Sequence, residues 1–183
     1  MHGMSCPTDL VKLDFIFTPQ GRYGPPLTND QTKVTIEVRP VGGNANSFIF
    51  SDEVTTLSNG TYTGLVLNGV ASGVYDVTAK GWNTLRIKKT SVTLTSGNNF
   101  IDFTNGGLNK AIAGDVDPTD RSGVGSDEKG DNEISAADYS VIVGNYNLTG
   151  PSYDRYDLDQ FGNSASAADY SLLVFNYGLI GDN

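Results

Sequence analysis

Two copies of one short phrase constrain this chain more than any other feature of its sequence. The phrase Ser-Ala-Ala-Asp-Tyr-Ser occupies residues 135–140 and recurs at residues 166–171, and each copy follows an Asp-x-Asp pair, at 115–117 and 157–159. Oxygen side chains at alternate loop positions, closed by a carboxylate on the first turn of a helix, suit the roughly six to eight oxygen ligands that calcium takes. The repeat therefore predicts two calcium loops, each continuing into a helix.

Both copies carry the signals of a helix start. In each copy the first serine suits the N-cap position, and the aspartate three residues later also favours the helix dipole. Apolar residues then recur at helical spacing. We predict two helices, Ser135–Tyr146 and Ser166–Tyr177, that pack on each other through a shared core.

The negative charge of the chain is concentrated in its C-terminal part. Residues 1–112 hold eight acidic and nine basic residues, whereas residues 113–183 hold thirteen acidic and three basic residues. A bound cation relieves such repulsion, but nucleic acid and an anionic membrane surface are repelled by it. We therefore predict no nucleic-acid partner. No apolar run approaches the roughly 18 residues of a membrane span, so no span is predicted either.

The segment before the repeat has the pattern of a β-sandwich. Residues 8–107, which follow a short N-terminus predicted to be flexible (residues 1–7), consist of short alternating or apolar runs separated by Gly, Pro, Asn and Asp. The predicted strands are Leu10–Thr18, Lys33–Arg39, Ser47–Phe50, Thr61–Leu67, Val74–Lys80, Leu85–Thr95 and Asn99–Thr104. Asn59-Gly60 predicts a hairpin turn, and Ser96-Gly97-Asn98 predicts a tight connection.

Few residues are suited to catalysis. His2 is the sole histidine and Cys6 the sole cysteine, so a Ser/His/Asp triad, a histidine metal site and an intrachain disulfide are excluded. The carboxylates that cluster in the sequence belong to the predicted calcium loops. We predict that the chain is not an enzyme.

The first loop takes its ligands from both sides of an insertion, Pro118–Gly130. Its predicted ligands are Asp115, Asp117, Asp131, the Glu133 carbonyl, Ser135 through water, and Asp138. Asn132 stands where the loop needs a turn that glycine usually makes. A competing interpretation uses the contiguous stretch Asp127–Asp138, but it places Lys129 at the third ligand position, where a positive charge repels the metal.

The second loop is one residue longer than the ordinary calcium loop. Its predicted ligands are Asp157, Asp159, Asn163 and Asp169. Because its fifth position lacks a carboxylate, we expect weaker binding here than in the first loop. Two calcium ions are expected in total. Loops of modest affinity fill at the calcium concentrations found outside cells, so we expect a secreted or cell-surface protein.

The tail, residues 108–183, resembles a dockerin, a module of two calcium loop and helix units that lack the leading helix of an EF-hand. The residues that carry the resemblance are 114–117, 131–132 and 135–138 in the first copy, and 156–159 and 166–169 in the second. The resemblance implies a cohesin-type partner, bound beside the last ligand and one to two turns along each helix. The residues so placed are Ala136, Ala137, Val143 and Gly144, and Ala167, Ala168, Val174 and Phe175.

Residues 8–107 resemble the carboxypeptidase-regulatory-like and Cna-B-like sandwiches of prealbumin type. The resemblance rests on the pattern Asn59-Gly60-x-Tyr62 followed by Gly73-x-Tyr75-x-Val77. It implies a stalk, spacer or adhesive module. Some Cna-B-like domains carry a Lys–Asn isopeptide bond, and the arrangement that would allow one here is Lys12 with Asn99 or Asn105.

The predicted fold is thus an all-β prealbumin-like sandwich followed by a small α-helical module with two EF-hand-like calcium loops. Three functions stay open at this point. The helical module attaches the chain to a cohesin-type partner or docks on its own sandwich. Alternatively, copies of the chain assemble into fibres or a surface layer through open sheet edges. In the third, the aromatics Trp82, Tyr23 and Tyr62 form a sugar-binding platform on the sandwich.

Overall fold

Seven β-strands followed by two short α-helices make up the part of the chain that the computed structural model describes, namely residues 10–22, 31–104, 110–117, 130–150, 154–159 and 164–182. The strands are β1 (Val11–Ile16), β2 (Lys33–Pro40), β3 (Phe50–Thr55), β4 (Thr61–Val66), β5 (Gly73–Gly81), β6 (Ile87–Leu94) and β7 (Gly97–Asp102). The helices are α1 (Ala136–Gly144) and α2 (Ala167–Phe175), with a 3-10 turn at Asp154–Tyr156 between them.

The strands form two sheets that pack face to face. One sheet has the order β4-β1-β7, with β1 antiparallel to β4 and parallel to β7. The other has the order β3-β2-β5-β6 and is antiparallel throughout. Alternation along the strands places apolar side chains between the sheets, as with Val11, Leu13 and Phe15 of β1. The prediction of a β-sandwich is confirmed.

The third strand lies outside its predicted position. It runs from Phe50 to Thr55 rather than over Ser47–Phe50, and pairs with β2 from Val38 back to Lys33. The prediction rested on the apolar residues Phe48 and Ile49, but 45% and 46% of their surfaces are exposed. The strand is at an edge of its sheet and mostly exposed, so backbone pairing defines it and hydrophobicity does not.

Asn59-Gly60 forms a turn, but the predicted hairpin is wrong. Gly60 has φ of 76°, and the Asn59 Oδ1 accepts hydrogen bonds from the Thr61 backbone N (3.1 Å) and Oγ1 (2.7 Å). The strands on either side, β3 and β4, nevertheless lie in different sheets. The dipeptide specifies only the local turn, whereas the strand partners are chosen by packing. The tight connection at Ser96-Gly97-Asn98 is confirmed, since β6 ends at Leu94 and β7 begins at Gly97.

Both predicted helices are confirmed, each two residues shorter at its C-terminal end than expected. Each begins with a capping box in which the N-cap serine and the aspartate at N3 satisfy each other's backbone amides. The helices touch through Tyr139 and Tyr170, whose rings lie edge to face with centroids 5.5 Å apart. Among the described residues, no helix is long and apolar enough to cross a membrane.

The helical tail has its own apolar cluster and is docked on the sandwich. The buried members of this cluster are Leu85, Ala113, Val116, Ile134, Ile142, Leu158, Ala165 and Leu173, and the first of them comes from the sandwich. Hydrogen bonds cross the junction: Leu85 N donates to Ile112 O (2.8 Å), and Arg86 N donates to Asn132 Oδ1 (2.7 Å). The alternative that the tail packs on its own sandwich is therefore observed.

Candidate functional site

The carboxylate that closes the first loop ties the loop to the start of α1. Asp138 is fully buried. Its Oδ1 accepts hydrogen bonds from the backbone N of Val116 (2.7 Å) and Asp117 (2.8 Å), and its Oδ2 accepts one from Ser135 N (2.8 Å). This single side chain therefore holds the Asp-x-Asp segment against the helix N-terminus.

The second loop repeats this arrangement. Asp169, also fully buried, accepts hydrogen bonds at Oδ1 from Leu158 N (2.6 Å) and Asp159 N (3.0 Å), and at Oδ2 from Ser166 N (2.8 Å). The two loops are thus built on one local plan, as the repeated phrase in the sequence indicates. They differ in where their other carboxylates point.

In the second loop the carboxylates converge. Asp157, Asp159 and Asp169 each place an oxygen within 4.8 Å of the others. Two oxygens on one calcium ion, each at about 2.3–2.6 Å, lie no more than about 5 Å apart, so this donor set fits the ion. Within the described ranges, no other three His, Cys, Asp or Glu residues converge in this way. The fourth predicted ligand, Asn163, lies outside the described residues.

In the first loop the leading carboxylate is paired with a lysine. Asp115 is fully buried, and its Oδ2 forms an ion pair with the Nζ of Lys80 on β5, which is 3% exposed. The same Nζ donates to Thr84 O (2.7 Å), and the same Oδ2 accepts a hydrogen bond from Asn132 N (3.0 Å). An ammonium group therefore lies against one oxygen of Asp115, the residue that was predicted to be the first calcium ligand.

Burial shifts the protonation of both partners. Desolvation raises the pKa of Asp115 to about 6, although the charge and hydrogen bond of Lys80 oppose this shift, and the charges of Asp138 and Asp131 add to it. Desolvation likewise lowers the pKa of Lys80, with Asp115 opposing the change. Neither ion is well solvated here, so each depends on the other for its charge.

The other predicted ligands of the first loop do not gather around Asp115 as their counterparts do in the second loop. Asp117 is buried, Asp131 is half-buried, and Glu133 is exposed. Ser135 Oγ accepts a hydrogen bond from Ala137 N (3.2 Å) as the cap of α1. The predicted turn at Asn132 is confirmed by its φ of 66°. The insertion that the competing contiguous loop would use lies outside the described residues, at 118–129.

Lys80 is the site residue that sequence reasoning missed. It was predicted only as the last residue of the strand Val74–Lys80, along which it alternates with Asp76 and Thr78. All three are buried on the face of the sheet opposite the sandwich core. Alternation shows that the three share a face, but nothing in the pattern shows which of them the tail would cover.

Gly130 packs directly on the buried carboxylate. Its φ is 76°, and a Cβ there would lie 1.9 Å from Asp115 Oδ1. We expect Gly130→Ala to destabilise the protein by about 2–3 kcal/mol, from backbone strain plus displacement of the carboxylate. The matched control is Gly178→Ala, at φ 83° with nothing within 4 Å, which should cost about 1 kcal/mol from strain alone. Urea denaturation measures both, and equal losses would show that the contact with Asp115 is unimportant.

The faces assigned to a partner are largely exposed. Ala136, Ala167 and Ala168 are exposed and Ala137 is half-buried, while Val143, Val174 and Phe175 expose 48%, 47% and 81% of their surfaces. Further apolar side chains of the tail are exposed nearby in the chain, namely Tyr146, Leu148, Tyr177, Leu179 and Ile180. Docking on the sandwich therefore leaves an apolar surface on the helices uncovered.

Two of the three aromatics of the predicted sugar-binding platform have different surroundings. Tyr62 stacks on Phe15 of the core, with centroids 5.7 Å apart, whereas Trp82 lies at the junction with the tail, under Lys33 and Arg155. Trp82 and Tyr62 therefore do not share one exposed platform. The third aromatic of the predicted platform, Tyr23, lies outside the described residues.

One of the two asparagines of the possible isopeptide bond, Asn99, uses its side-chain amide for hydrogen bonds to the backbone. The Asn99 side-chain amide donates to the backbone oxygen of Lys12 (3.0 Å), and to the backbone oxygens of Thr95 and Gly97. It is therefore engaged with the backbone of the strand ends. The other candidate, Asn105, lies outside the described residues.

A two-sheet β-sandwich with a docked pair of loop–helix units is the class of structure that these observations define. No family model and no curated protein matches the sequence. The fold is shared with a chain in two crystal structures of type II cohesin–X–dockerin complexes from Acetivibrio cellulolyticus, one a C-terminal and one an N-terminal interface mutant. The TM-scores are 0.60 and 0.59 at 18% and 17% identity, and each match covers 93% of this chain and 97% of the other. Coverage of 93% extends over both the sandwich and the helical tail.

Proposed function

We propose that this chain is a non-catalytic protein–protein attachment module, in which the sandwich carries a dockerin-like tail that binds a cohesin-type partner. The observation that carries the proposal is the pair of repeated loop–helix units, docked on the sandwich by one side and exposing apolar helix faces on the other. The fold it shares, over both parts, with a chain of cohesin–X–dockerin complexes supports it.

The exposed helix faces have the composition of a contact surface. Val143 on α1 and Val174 with Phe175 on α2 occupy corresponding parts of the two repeats and are each about half or more exposed. Exposed apolar side chains that cluster on one face mark a contact site, and we infer that these three do so. Small alanines on the first turn of each helix let a partner approach closely, and a large aromatic such as Phe175 suits the anchor of an interface.

Calcium in the second loop would fix the orientation of this surface. The ion would be held by Asp157, Asp159 and Asp169, and the last of these is also the N3 residue of α2. The ion would thereby join the loop to the helix that presents Phe175. The ion would neutralise these carboxylates and link them together. Because it would bind the folded state and not the unfolded chain, it would stabilise the folded state by mass action. A loop with a reduced number of carboxylates suits calcium at extracellular levels, so we infer a secreted or cell-surface protein.

Binding to a cohesin tests the proposal, and Phe175→Glu is the variant of choice. We expect the chain to bind the type II cohesin of the structural neighbour in calcium, and Phe175→Glu to weaken binding about 30-fold or more, as for a central anchor worth about 2 kcal/mol. Phe100→Glu is the matched control, because Phe100 is 66% exposed but lies on β7 of the sandwich. It should bind like the parent. Titration calorimetry measures all three.

Other outcomes would favour the other functions. A chain that binds no cohesin, and that sediments above its monomer mass of 19.5 kDa only in calcium, would support self-assembly instead. A chain that binds a dockerin in the same titration would take the cohesin's role in such a complex. Equal loss of binding in Phe175→Glu and Phe100→Glu would contradict the helix faces as the contact surface.

A further inference from the structure

The two loops of the tail can be compared with each other, because they share one closing motif and differ in the partner of their leading aspartate. In both, the closing aspartate is buried and accepts hydrogen bonds from the Asp-x-Asp backbone and the N-cap serine. In the second loop, the leading carboxylate, Asp157, points toward its partners. In the first, Asp115 points toward Lys80 of the sandwich.

The lysine is held in place by the sandwich. Lys80 lies on β5, opposite Thr35 of β2, near the end of the strand. Its ammonium donates to Thr84 O (2.7 Å) as well as to Asp115, and the side chain is 2% exposed. A group held by two acceptors and buried on a central strand has little freedom to move aside.

A calcium ion and this ammonium would compete for the same oxygen. Calcium binds carboxylate oxygens at about 2.3–2.6 Å, so an ion on Asp115 Oδ2 would lie within a few ångströms of the Lys80 charge. Like charges at that distance in a buried site repel strongly. The other oxygen, Asp115 Oδ1, faces Gly130 and is buried with no hydrogen-bond partner among the described residues. An ion on this oxygen would share the carboxylate with the ammonium and would meet the same repulsion. The residues around Asp115 therefore do not fit the ion.

We propose that the Lys80 ammonium serves as a built-in cation for the first loop, which therefore takes no calcium, so that any calcium the tail binds is held by the second loop. The sandwich thus supplies the positive charge that orders the first loop. This assignment rests on Lys80 and Asp115 and goes beyond the attachment function, since it holds whether or not the tail binds a cohesin.

Counting calcium ions on the intact chain tests the assignment. Native mass spectrometry and titration calorimetry in calcium should give one ion per chain. Asp157→Asn and Asp115→Asn are a matched pair, because they remove the charge at the same position of the two loops. We expect Asp157→Asn to lose the ion, and Asp115→Asn to keep it with a dissociation constant within about twofold of the parent.

Two ions on the parent chain, one of which is lost in Asp115→Asn, would overturn the assignment. If Asp115→Asn does not fold, the count on the parent still decides, and Lys80→Arg, which keeps the charge, should leave the count at one. A parent chain that binds no ion would contradict the second-loop site of the proposed function but would still support a metal-free first loop. Partner binding is not needed for any of these counts, so the two proposals can fail separately.

Discussion

Replacing Lys80 with methionine is expected to lower the free energy of unfolding by about 3–5 kcal/mol, because it leaves a buried carboxylate without its counter-ion. Asp115 is fully buried and is also close to the charges of Asp131 and Asp138, and within the described ranges its other donor is an uncharged backbone amide, Asn132 N. Urea denaturation followed by circular dichroism measures the loss. A change of this size would affect both the first loop and the attachment of the tail to the sandwich.

Two further variants show whether the effect comes from the ion pair. Lys33→Met removes a lysine whose side chain is 46% exposed and lies 3.8 Å from Glu53, and should cost at most about 1 kcal/mol. The double replacement Lys80→Met with Asp115→Leu removes both charges and should recover most of the loss, since a hydrophobic pair can replace a buried ion pair. A double variant as unstable as Lys80→Met alone would show that shape, not charge, is what the pair contributes.

Asp169→Ala and Asp138→Ala are expected to separate the structural and the metal-binding roles of the closing carboxylates. Each removes a buried acceptor of three backbone donors, which at about 1–3 kcal/mol per unsatisfied group costs about 3 kcal/mol or more in chelator. In calcium at a hundredfold excess over its dissociation constant, Asp169→Ala should lose about 2.7 kcal/mol more than in chelator. Asp138→Ala should lose the same free energy of unfolding in calcium as in chelator.

Denaturation of the parent and both variants, in calcium and in chelator, gives the six free energies required. The comparison is well matched, because both residues are the N3 residue of a capping box on a nine-residue helix. A calcium-dependent loss in Asp138→Ala would show that the first loop holds an ion despite Lys80. If Asp169→Ala loses the same free energy of unfolding in calcium and in chelator, the proposal that the second loop binds calcium is contradicted.

The ion pair also changes how the charge of the tail is balanced. The tail carries thirteen acidic and three basic residues, which predicts that added cations stabilise it. One of the compensating charges instead comes from β5 of the sandwich. The tail therefore depends on the sandwich for electrostatic as well as apolar contacts, of which Leu85 is an example. Chelation alone should leave this part of the attachment intact.

Sequence alone determined the features that depend on residues close together in the chain. The serine caps and the helical spacing predicted both helices, with errors of two residues at their C-terminal ends. The turn at Asn132 was also predicted, as was the Asp-x-Asp and closing aspartate set of the second loop, whose carboxylates converge. Capping, periodicity and loop spacing act over one or two turns, so a short stretch of sequence contains all that they require.

Tertiary structure alone decided which partners these elements have. Asn59-Gly60 can form its turn whether or not the strands on either side pair with each other. The packing of the two sheets is what places β3 and β4 in different sheets. Two loops with the same closing motif came to differ because Lys80, 35 residues before Asp115, is carried to the first loop by the docking of the tail on the sandwich. Burial then makes that contact important, because a charge removed from water is destabilising without a counter-ion. The tertiary structure determines which counter-ion is near.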